Sequence, residues 1–237
     1  MYEADLAEIY DMVYRGRGKD YAAEAAEVSE LVLARRPDAV SLLDVACGTG
    51  AHLAFTRERF ETVEGLELSE HMIAKAREAL PGVPVHRGDM RDFDLGRTYD
   101  AAMCMFSSIG YLGSTGELEA TLSRLARHLS PGGVLVIEPW YFPERFIDGY
   151  IARDLVSCGD RVVARVSHST RNGRQVPITV HYIVADKSAG IRHFTDLHLM
   201  RLFTREEYER AFERAGFAVE YLTDGRFDCG LFVGVLK

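Results

Sequence analysis

An apolar segment that runs directly into a glycine-rich loop is the feature that most constrains the fold of this chain. Residues 42–50 read LLDVACGTG, and a helical pattern follows at once over 51–60. A strand, a glycine turn and a helix in this order bring backbone N–H groups close to a ligand at one edge of a sheet. The segment therefore predicts the first strand, loop and helix of a ligand-binding α/β domain.

The same alternation continues through the first 149 residues. Apolar segments typical of buried strands lie at 41–46, 62–68, 83–89, 99–108 and 134–140. Helical periodicity marks 5–14, 20–36, 51–60, 69–80 and 117–129. Strands that alternate with helices of this length indicate βαβ units. We expect a mostly parallel, Rossmann-like α/β sheet preceded by N-terminal helices.

The pattern changes after Pro143. Residues between 150 and 202 alternate apolar and polar side chains and are interrupted by glycine turns, which is typical of antiparallel strands. Thr204 and Glu207 then match a capping box at the start of a helix. The predicted division is an α/β domain over 1–149 and 203–237, and an antiparallel β insertion over 150–202.

Composition excludes several classes of protein. The 237 residues carry a formal net charge of −8, which argues against the dense basic surface that nucleic-acid binding requires. Four widely spaced cysteines predict reduced thiols, with neither a disulfide framework nor a metal cluster. The acidic N-terminus does not resemble a signal peptide, and no apolar run approaches the length of a membrane span. We expect a cytoplasmic protein.

Acidic residues at the ends of successive strands favour S-adenosylmethionine over NAD as the ligand of the loop. The third glycine of the dinucleotide motif is replaced by Leu53. Asp44 can orient the loop and face the methionine amino group, and Glu67 can accept hydrogen bonds from both ribose hydroxyls. Asp89 can meet the adenine amino group, with Met90 against the ring. For Asp44 or Glu67 alone, a purely structural role is an equally good explanation.

Further segments carry a resemblance to known families. LLDVACGTG, EGLELS, GDMRDF and CMFSSIGYL resemble the class I methyltransferases. GRGKDY, EPWYFP, RVSHSTR, VHYIV and LFTREEYERAF resemble the TDP-aminosugar N,N-dimethyltransferases of macrolide antibiotic pathways, over essentially the full length. One departure is Ala46, which replaces the first glycine of the commonest methyltransferase loop.

The resemblance implies an activity and a set of binding residues. The implied reaction is N,N-dimethylation of the 3-amino group of TDP-3-amino-3,4,6-trideoxyglucose to give TDP-desosamine, by a homodimer whose N-terminal helices form a lid. Tyr14 and Tyr21 would turn from that lid toward the ligands. The predicted cofactor site comprises Tyr21, Asp44, Ala46, Gly48, Gly50, Glu67, Leu68, Asp89, Met90 and Met105.

Binding a nucleotide sugar requires cationic donors for its diphosphate. Strand periodicity places Arg165, Ser167 and Ser169 on one face, Thr179 and His181 on another, and Leu199 and Arg201 on a third. We predict that these faces converge on the substrate, although each arginine alone fits a solvent-facing position equally well. The remaining candidates are Arg17 and Lys19 beside flexible glycines, Tyr14, and Trp140 at the end of the fifth strand.

Methyl transfer to an amine is a direct displacement on an activated methyl group, so the protein mainly aligns and desolvates the reactants. Tyr14, Tyr111 and His181 are the candidates to orient the amine or to accept its proton weakly. Because orientation is expected to dominate, no single substitution among the three is predicted to abolish turnover.

Two alternatives remain open from the sequence. The acceptor could be another small amine, such as a TDP-aminosugar that keeps its 4-hydroxyl, or the chain could be a non-catalytic cofactor-binding or assembly protein. A nucleic-acid methyltransferase is disfavoured by the charge and by Phe106-Ser107-Ser108, which stands where such enzymes carry an Asn/Asp-Pro-Pro-Tyr motif.

Overall fold

A computed structural model describes residues 4–237 and contains two β-sheets. The strands of the main sheet are β1 (Ser41–Val45), β2 (Thr62–Glu67), β3 (Val85–Arg87), β4 (Tyr99–Cys104) and β5 (Leu129–Ile137), joined after the insertion by β10 (Phe217–Leu222) and β11 (Leu231–Leu236). Their order is β3-β2-β1-β4-β5-β11-β10, with β1 to β5 parallel and the last two antiparallel to their neighbours. This confirms the predicted α/β fold of the class I methyltransferase type.

Helices cover both faces of this sheet. They are α1 (Ala4–Gly16), α2 (Tyr21–Arg35), α3 (Leu53–Thr56), α4 (Glu70–Ala79), α5 (Thr115–Arg127) and α6 (Arg205–Arg214). Apolar residues of α5 and α6 form one buried core with the sheet, and those of α2 and α4 form a second core on the other face. The predicted capping box of α6 is present, with both the Thr204 and the Glu207 hydrogen bonds made. None of the helices within residues 4–237 has the length and apolar character needed to cross a membrane.

Three predicted boundaries in this domain are wrong. The helix after the glycine loop is only α3, because the backbone from His52 to Phe60 mixes i+3 and i+4 hydrogen bonds. Strand β4 ends at Cys104 because Phe106 and Ser107 adopt the left-handed conformation, with φ of 55° and 58°. Strand β5 begins earlier, at Leu129, since Leu129 pairs with Tyr99 before a register shift.

The insertion is a separate four-stranded antiparallel sheet, as predicted. It comprises β6 (Tyr150–Cys158), β7 (Arg161–Ser169), β8 (Gln175–Asp186) and β9 (Gly190–Arg201), paired in sequence order. Helix α1 packs its apolar residues against one face of this sheet, called the inner face here, which carries Val163, Val180, Tyr182 and Val184. Glu8 of α1 forms ion pairs with Arg161 and Arg192 of the sheet. The N-terminal helix is therefore fixed to the insertion as well as to the main domain.

The close approach of α1 to the insertion depends on Gly16. A Cβ atom at this position would overlap Cγ1 of Val156 on β6. Replacing Gly16 by alanine is expected to lower the free energy of unfolding by about 1–3 kcal/mol through overpacking, despite the better helix propensity of alanine. Adding Val156→Ala should restore part of that loss.

Urea unfolding of Gly16→Ala, of the double variant with Val156→Ala and of a control variant measures the change in the free energy of unfolding. Gly116→Ala in α5 is the matched control, since the nearest atom to its added Cβ is the Ser114 hydroxyl oxygen at 3.8 Å. Equal behaviour of the Gly16 and Gly116 variants would show that α1 does not depend on this contact.

Candidate functional site

The glycine loop follows β1 and turns sharply beneath the N-terminal helices. Ala46, Gly48 and Gly50 all have positive φ, at 59°, 58° and 78°. A Cβ at Gly50 would lie 2.8 Å from a methyl carbon of Leu80, whereas a Cβ at Gly48 would meet no atom of residues 4–237 within 4 Å. The loop is thus closely packed at Gly50 and open at Gly48. Ala46 holds a conformation that glycine adopts without strain.

Glu67 ends β2 and holds the glycine loop in place. Its Oε2 accepts a hydrogen bond from the Gly48 N–H at 2.9 Å, and its Oε1 accepts from the N–H groups of Leu68 and Ser69 at 2.8 Å each. Because each carboxylate oxygen can accept two hydrogen bonds, Oε2 retains capacity for a hydroxyl. Glu67 is therefore structural and remains suited to a ribose.

Asp44 lies at the centre of the same edge and is almost fully buried, with 1% of its surface exposed. Its Oδ2 has no hydrogen-bond partner among the described residues. Burial, and then the nearby Glu67, raise the pKa of the Asp44 carboxyl well above its usual value. A buried oxygen without a partner is costly, and an ammonium group from a ligand would satisfy it. The residues present thus fit the methionine end of S-adenosylmethionine.

The residues predicted to bind adenine are less available to a ligand than Asp44 and Glu67. Both carboxylate oxygens of Asp89 accept hydrogen bonds from the Arg91 side chain, which lowers the pKa of Asp89. Met90 is half-buried, Met105 is buried in the apolar core, and Leu68 is exposed. The roles of these residues toward adenine stay predictions, and Asp89 would have to share its carboxylate with Arg91.

The lid is attached to the loop by buried polar contacts. The Thr49 hydroxyl donates to Asp11 of α1 at 2.6 Å. Glu24 of α2 pairs with Lys19 and with His52, and the Lys19 ammonium lies 4.0 Å from the Phe106 ring centroid. Lys19 therefore closes the lid, so the structure does not support its predicted role at a phosphate.

Tyr21 is the first residue of α2 and lies two positions after Lys19. Its ring lies edge-on to His52 at 5.0 Å, and its buried hydroxyl has no partner among residues 4–237. The Tyr21 hydroxyl is thus a second buried polar group that a ligand could satisfy, and its contact to the cofactor stays a prediction.

Aromatic side chains surround the expected position of the acceptor. The Tyr14 ring lies 4.6 Å from that of Tyr10 and edge-on to Phe106 at 4.7 Å. Burial raises the pKa of Tyr14. Tyr111, in the short 3₁₀ turn after β4, and Trp140 pack together against Met200 of β9. The structure thus brings three of the predicted residues, Tyr14, Tyr111 and Trp140, to the same end of the sheet.

Two of the predicted diphosphate ligands meet at Asp154 of β6. The Arg17 Nε lies 3.1 Å from one carboxylate oxygen of Asp154, and Arg165 Nη1 lies 3.3 Å from the other. Arg165 is 8% exposed, and its Nε has no hydrogen-bond partner in the described part of the chain. Ser167 and Ser169 are buried on the same strand face as Arg165. The residue that follows α1 and strand β7 therefore present two guanidinium groups together.

The prediction that all three strand faces converge is wrong. Arg165 pairs with Tyr182, so His181 pairs with Val166 and lies on the opposite, outer face of the insertion. There its ring stacks on His193 in solvent. The sheet separates His181 from Tyr14 and Tyr111, which removes it as a catalytic or substrate-binding candidate within one chain. Thr179 and Leu199 lie on the same outer face.

Arg201 also departs from the predicted arrangement. Its Nη1 donates to the Gly113 carbonyl at 3.1 Å, so the side chain extends toward the turn that carries Tyr111 and away from Arg165. Its Nε is buried without a partner among residues 4–237. Arg201 therefore borders the acceptor region and does not contribute to the pair at Asp154.

Several residues near the site were not predicted from the sequence. Asp154 joins the two arginines, and Asp196 and His198 lie beside Tyr111. Glu138, after β5, accepts a hydrogen bond from the Phe106 N–H at 2.6 Å and thereby holds the left-handed turn that ends β4. Burial raises the pKa of Glu138 to about 7. The sequence signal that could have identified Glu138 is its position at the end of a parallel strand. The same property identified Asp44 and Glu67.

Sequence comparisons find a matching family model and relatives that cover the whole chain. Residues 42–133 match the family model of a methyltransferase domain. The chain is 55% identical to the dTDP-3-amino-3,4,6-trideoxy-alpha-D-glucopyranose N,N-dimethyltransferase of Streptomyces venezuelae, covering 99% of both proteins. It is 53% identical to the dTDP-3-amino-3,6-dideoxy-alpha-D-glucopyranose N,N-dimethyltransferase of Streptomyces fradiae, over 99% of this chain and 92% of that protein.

Solved structures give the same result. DesVI of Streptomyces venezuelae matches with a TM-score of 0.95, 55% identity and complete coverage of both chains. CalS10, an amino pentose methyltransferase from Micromonospora echinaspora solved with S-adenosylmethionine bound, matches with a TM-score of 0.89 and 51% identity over 97% of each chain. The predicted cofactor and enzyme class are confirmed. The chain belongs to the family of S-adenosylmethionine-dependent N,N-dimethyltransferases of nucleotide-linked aminosugars.

Proposed function

We propose that this enzyme dimethylates the 3-amino group of TDP-3-amino-3,4,6-trideoxyglucose and so forms TDP-desosamine for macrolide antibiotic biosynthesis. The observation that carries the proposal is the pair of guanidinium groups at Asp154, in an otherwise acidic protein. Arginine binds diphosphate oxygens through two parallel hydrogen bonds. The relative that is 55% identical acts on a sugar of this kind.

The proposed chemistry needs alignment more than acid–base catalysis. S-adenosylmethionine supplies an activated methyl group, which the lone pair of the neutral amine attacks in line as the carbon–sulfur bond breaks, leaving S-adenosylhomocysteine and a proton. The aromatic residues Tyr14, Phe106, Tyr111 and Trp140 exclude water and restrict the orientation of the sugar. A second round requires that S-adenosylhomocysteine be exchanged for a second S-adenosylmethionine and that the monomethylated amine, with its proton lost, occupy the same place.

The insertion over 150–202 is proposed as the substrate-binding unit. It contributes Arg165, Ser167, Ser169 and Asp154 from its inner face, while α1 contributes Tyr14 and the turn after α1 contributes Arg17. The main domain supplies the glycine loop, Asp44 and Glu67. This division assigns the methyl donor to one sheet and the acceptor to the other.

Titration with TDP tests the acceptor class. We expect saturable binding of TDP by the wild-type enzyme in the presence of S-adenosylhomocysteine, because the two arginines recognise the diphosphate. A methyltransferase for an unrelated small amine or acid would show no saturable TDP binding. A non-catalytic assembly protein would fail to transfer labelled methyl groups to any TDP-aminosugar.

A second candidate acceptor is the TDP-aminosugar that keeps its 4-hydroxyl. The relative from Streptomyces fradiae acts on a 3-amino-3,6-dideoxy sugar and is 53% identical to this chain. The two acceptors differ by one hydroxyl, which is worth about 1–3 kcal/mol when it is buried without a partner. The ratio of kcat/KM for the two sugars distinguishes the candidates, and we expect it to favour the 4-deoxy sugar.

We also infer that the enzyme is a homodimer and that it is cytoplasmic. The outer face of the insertion exposes an unusual number of large apolar side chains, namely Ile151, Leu155, Val166, Ile183, Leu197 and Leu199. A contiguous apolar face of this kind is typical of a subunit interface. All four cysteines, which lie within the described residues, are free thiols, as expected in a reducing compartment.

Size-exclusion chromatography with light scattering tests the dimer. We expect the wild-type mass to be twice that of one chain and Leu197→Glu to give a folded monomer, because the substitution places a charge within the apolar face. A monomeric wild-type protein, or a Leu197→Glu variant that stays dimeric, would contradict this assignment of the interface.

A further inference from the structure

A chain of three polar side chains connects the insertion to the acceptor region. The Tyr111 hydroxyl lies 2.8 Å from Nδ1 of His198, and Nε2 of the same ring lies 3.3 Å from Oδ2 of Asp196. Asp196 and His198 are two residues apart on β9 and share its inner face. Asp196 is buried, and the His198 side chain is nearly so. The order from the interior outward is therefore carboxylate, imidazole and phenol.

The contacts of His198 with Asp196 and Tyr111 favour one tautomer. Nε2 lies at ion-pair distance from the Asp196 carboxylate, and the negative charge favours the hydrogen on Nε2, because a nitrogen lone pair in that position would be repelled. In the neutral imidazole Nδ1 is then the acceptor, and the Tyr111 O–H donates to it. Burial lowers the pKa of His198, which favours this neutral form. A phenol whose hydrogen points to His198 presents its oxygen lone pairs to its other neighbours.

We propose that Asp196 and His198 are positioning residues that fix Tyr111 with its oxygen directed as an acceptor toward the substrate amine. This inference rests on the proposed function and identifies what selects the orientation of the amine. The phenol oxygen accepts one N–H of the acceptor, so the nitrogen lone pair is directed away from Tyr111 and toward the methyl donor. His198 occupies the place in the site that strand periodicity predicts for His181.

The contacts around Tyr111 explain why other residues are needed to orient its hydroxyl group. The ring also packs against the apolar cluster that includes Met200, and this packing restricts its position but does not set the direction of its hydroxyl hydrogen. An unconstrained phenol hydrogen could point at the amine and donate to its lone pair, which would block the attack. A hydrogen held by His198 removes this competing arrangement.

Steady-state kinetics of four variants test the proposal. We expect His198→Leu and Tyr111→Phe each to lower kcat by about tenfold to hundredfold, the range for a misplaced reacting group, with KM for the TDP-aminosugar changed less than about threefold. The double variant should be no slower than Tyr111→Phe, because both substitutions remove the same contact. His198→Asn keeps an acceptor near the position of Nδ1 and should recover most of the kcat lost in His198→Leu.

The control is His193→Leu, which makes the same change on the same strand but on the outer face. It should leave kcat unchanged. The proposal is overturned if His198→Leu keeps wild-type kcat, if the double variant shows the product of the two single losses, or if His198→Asn is as slow as His198→Leu. In the last case His198 would accept a proton itself. If the wild-type enzyme does not methylate the TDP-aminosugar at all, the proposed function fails, a result distinct from any of these.

Discussion

Replacing Asp44 by asparagine is expected to stabilise the cofactor-free enzyme and, at the same time, to weaken its binding of S-adenosylmethionine. The carboxylate is buried, and its Oδ2 has no hydrogen-bond partner in the part of the chain that the structure describes, so it is costly until a ligand ammonium pairs with it. An amide of the same shape removes the charge. We expect Tm without ligand to rise by a few degrees, since about 1 kcal/mol shifts Tm by ~2–4 °C in a domain of this size. The dissociation constant for S-adenosylmethionine should rise about 10²-fold, which corresponds to the loss of a charged hydrogen bond.

The stabilisation should depend on pH in a defined direction. The folded-state pKa of Asp44 is raised, so the folded protein retains a proton that the unfolded chain has lost. Stability therefore falls as pH rises from the ordinary aspartate range, about pH 4, through the raised pKa. The gain in Tm from Asp44→Asn should be small near pH 4 and should grow as the pH is increased above that range.

Asp100→Asn on the neighbouring strand is the matched control. The Asp100 carboxylate lies at the opposite end of the sheet. It accepts hydrogen bonds from the N–H groups of Val40 and Ser41 and from the Ser41 hydroxyl, and it forms an ion pair with Arg36. Its replacement should lower Tm and leave S-adenosylmethionine binding unchanged. If Asp44→Asn lowers Tm or binds the cofactor as the wild type does, Asp44 is a structural cap and its assigned role is wrong.

Removing the Arg165 guanidinium is expected to produce the largest loss on the acceptor side. Arg165→Leu should lower kcat/KM for the TDP-aminosugar by about 10²–10³-fold, because a bidentate contact to a phosphate contributes roughly 1.5–3 kcal/mol and a misplaced sugar also reacts more slowly. Binding of S-adenosylmethionine should not change. Arg165→Lys keeps the positive charge but lacks the planar guanidinium, which binds two oxygens at once. Its kcat/KM should therefore lie between those of the wild type and of Arg165→Leu.

The control for this series is Arg153→Leu, on the neighbouring strand but on the outer face of the insertion, opposite Val166. We expect its kcat/KM to match the wild-type value. Equal losses in the Arg153 and Arg165 variants would indicate general damage to the sheet. An unchanged KM for the sugar in Arg165→Leu would show that the diphosphate binds elsewhere.

Much of the main domain follows from local pattern. The LLDVACGTG segment predicts a strand, a glycine turn and a helix, and the structure contains β1, a loop with positive φ at Gly48 and Gly50, and the short helix α3. Thr204 and Glu207 predicted the start of α6 because a capping box is made within one turn. The acidic ends of β1 and β2 predicted where the donor site lies, since the carboxyl ends of parallel strands meet at one edge.

The acceptor side could not be derived in the same way. Alternation along a single strand correctly grouped Arg165 with Ser167 and Ser169, but it does not say which residue of β8 lies opposite. Arg165 pairs with Tyr182, and a shift of one residue would have placed His181 on the inner face instead. The contact of Asp196 and His198 with Tyr111 likewise requires the register of β9 and the packing of two sheets. The spacing of residues along the sequence encodes neither the register of β9 nor the packing of the two sheets.

Mass spectrometry of the products formed from TDP-3-amino-3,4,6-trideoxyglucose and S-adenosylmethionine tests the central claim most directly. We predict a TDP-sugar that carries two added methyl groups on its amine, with two molecules of S-adenosylhomocysteine formed for each sugar. Two results would contradict the proposed N,N-dimethylation. The first is a sugar that stays unmodified under conditions in which TDP binds saturably, and the second is transfer of a methyl group to oxygen.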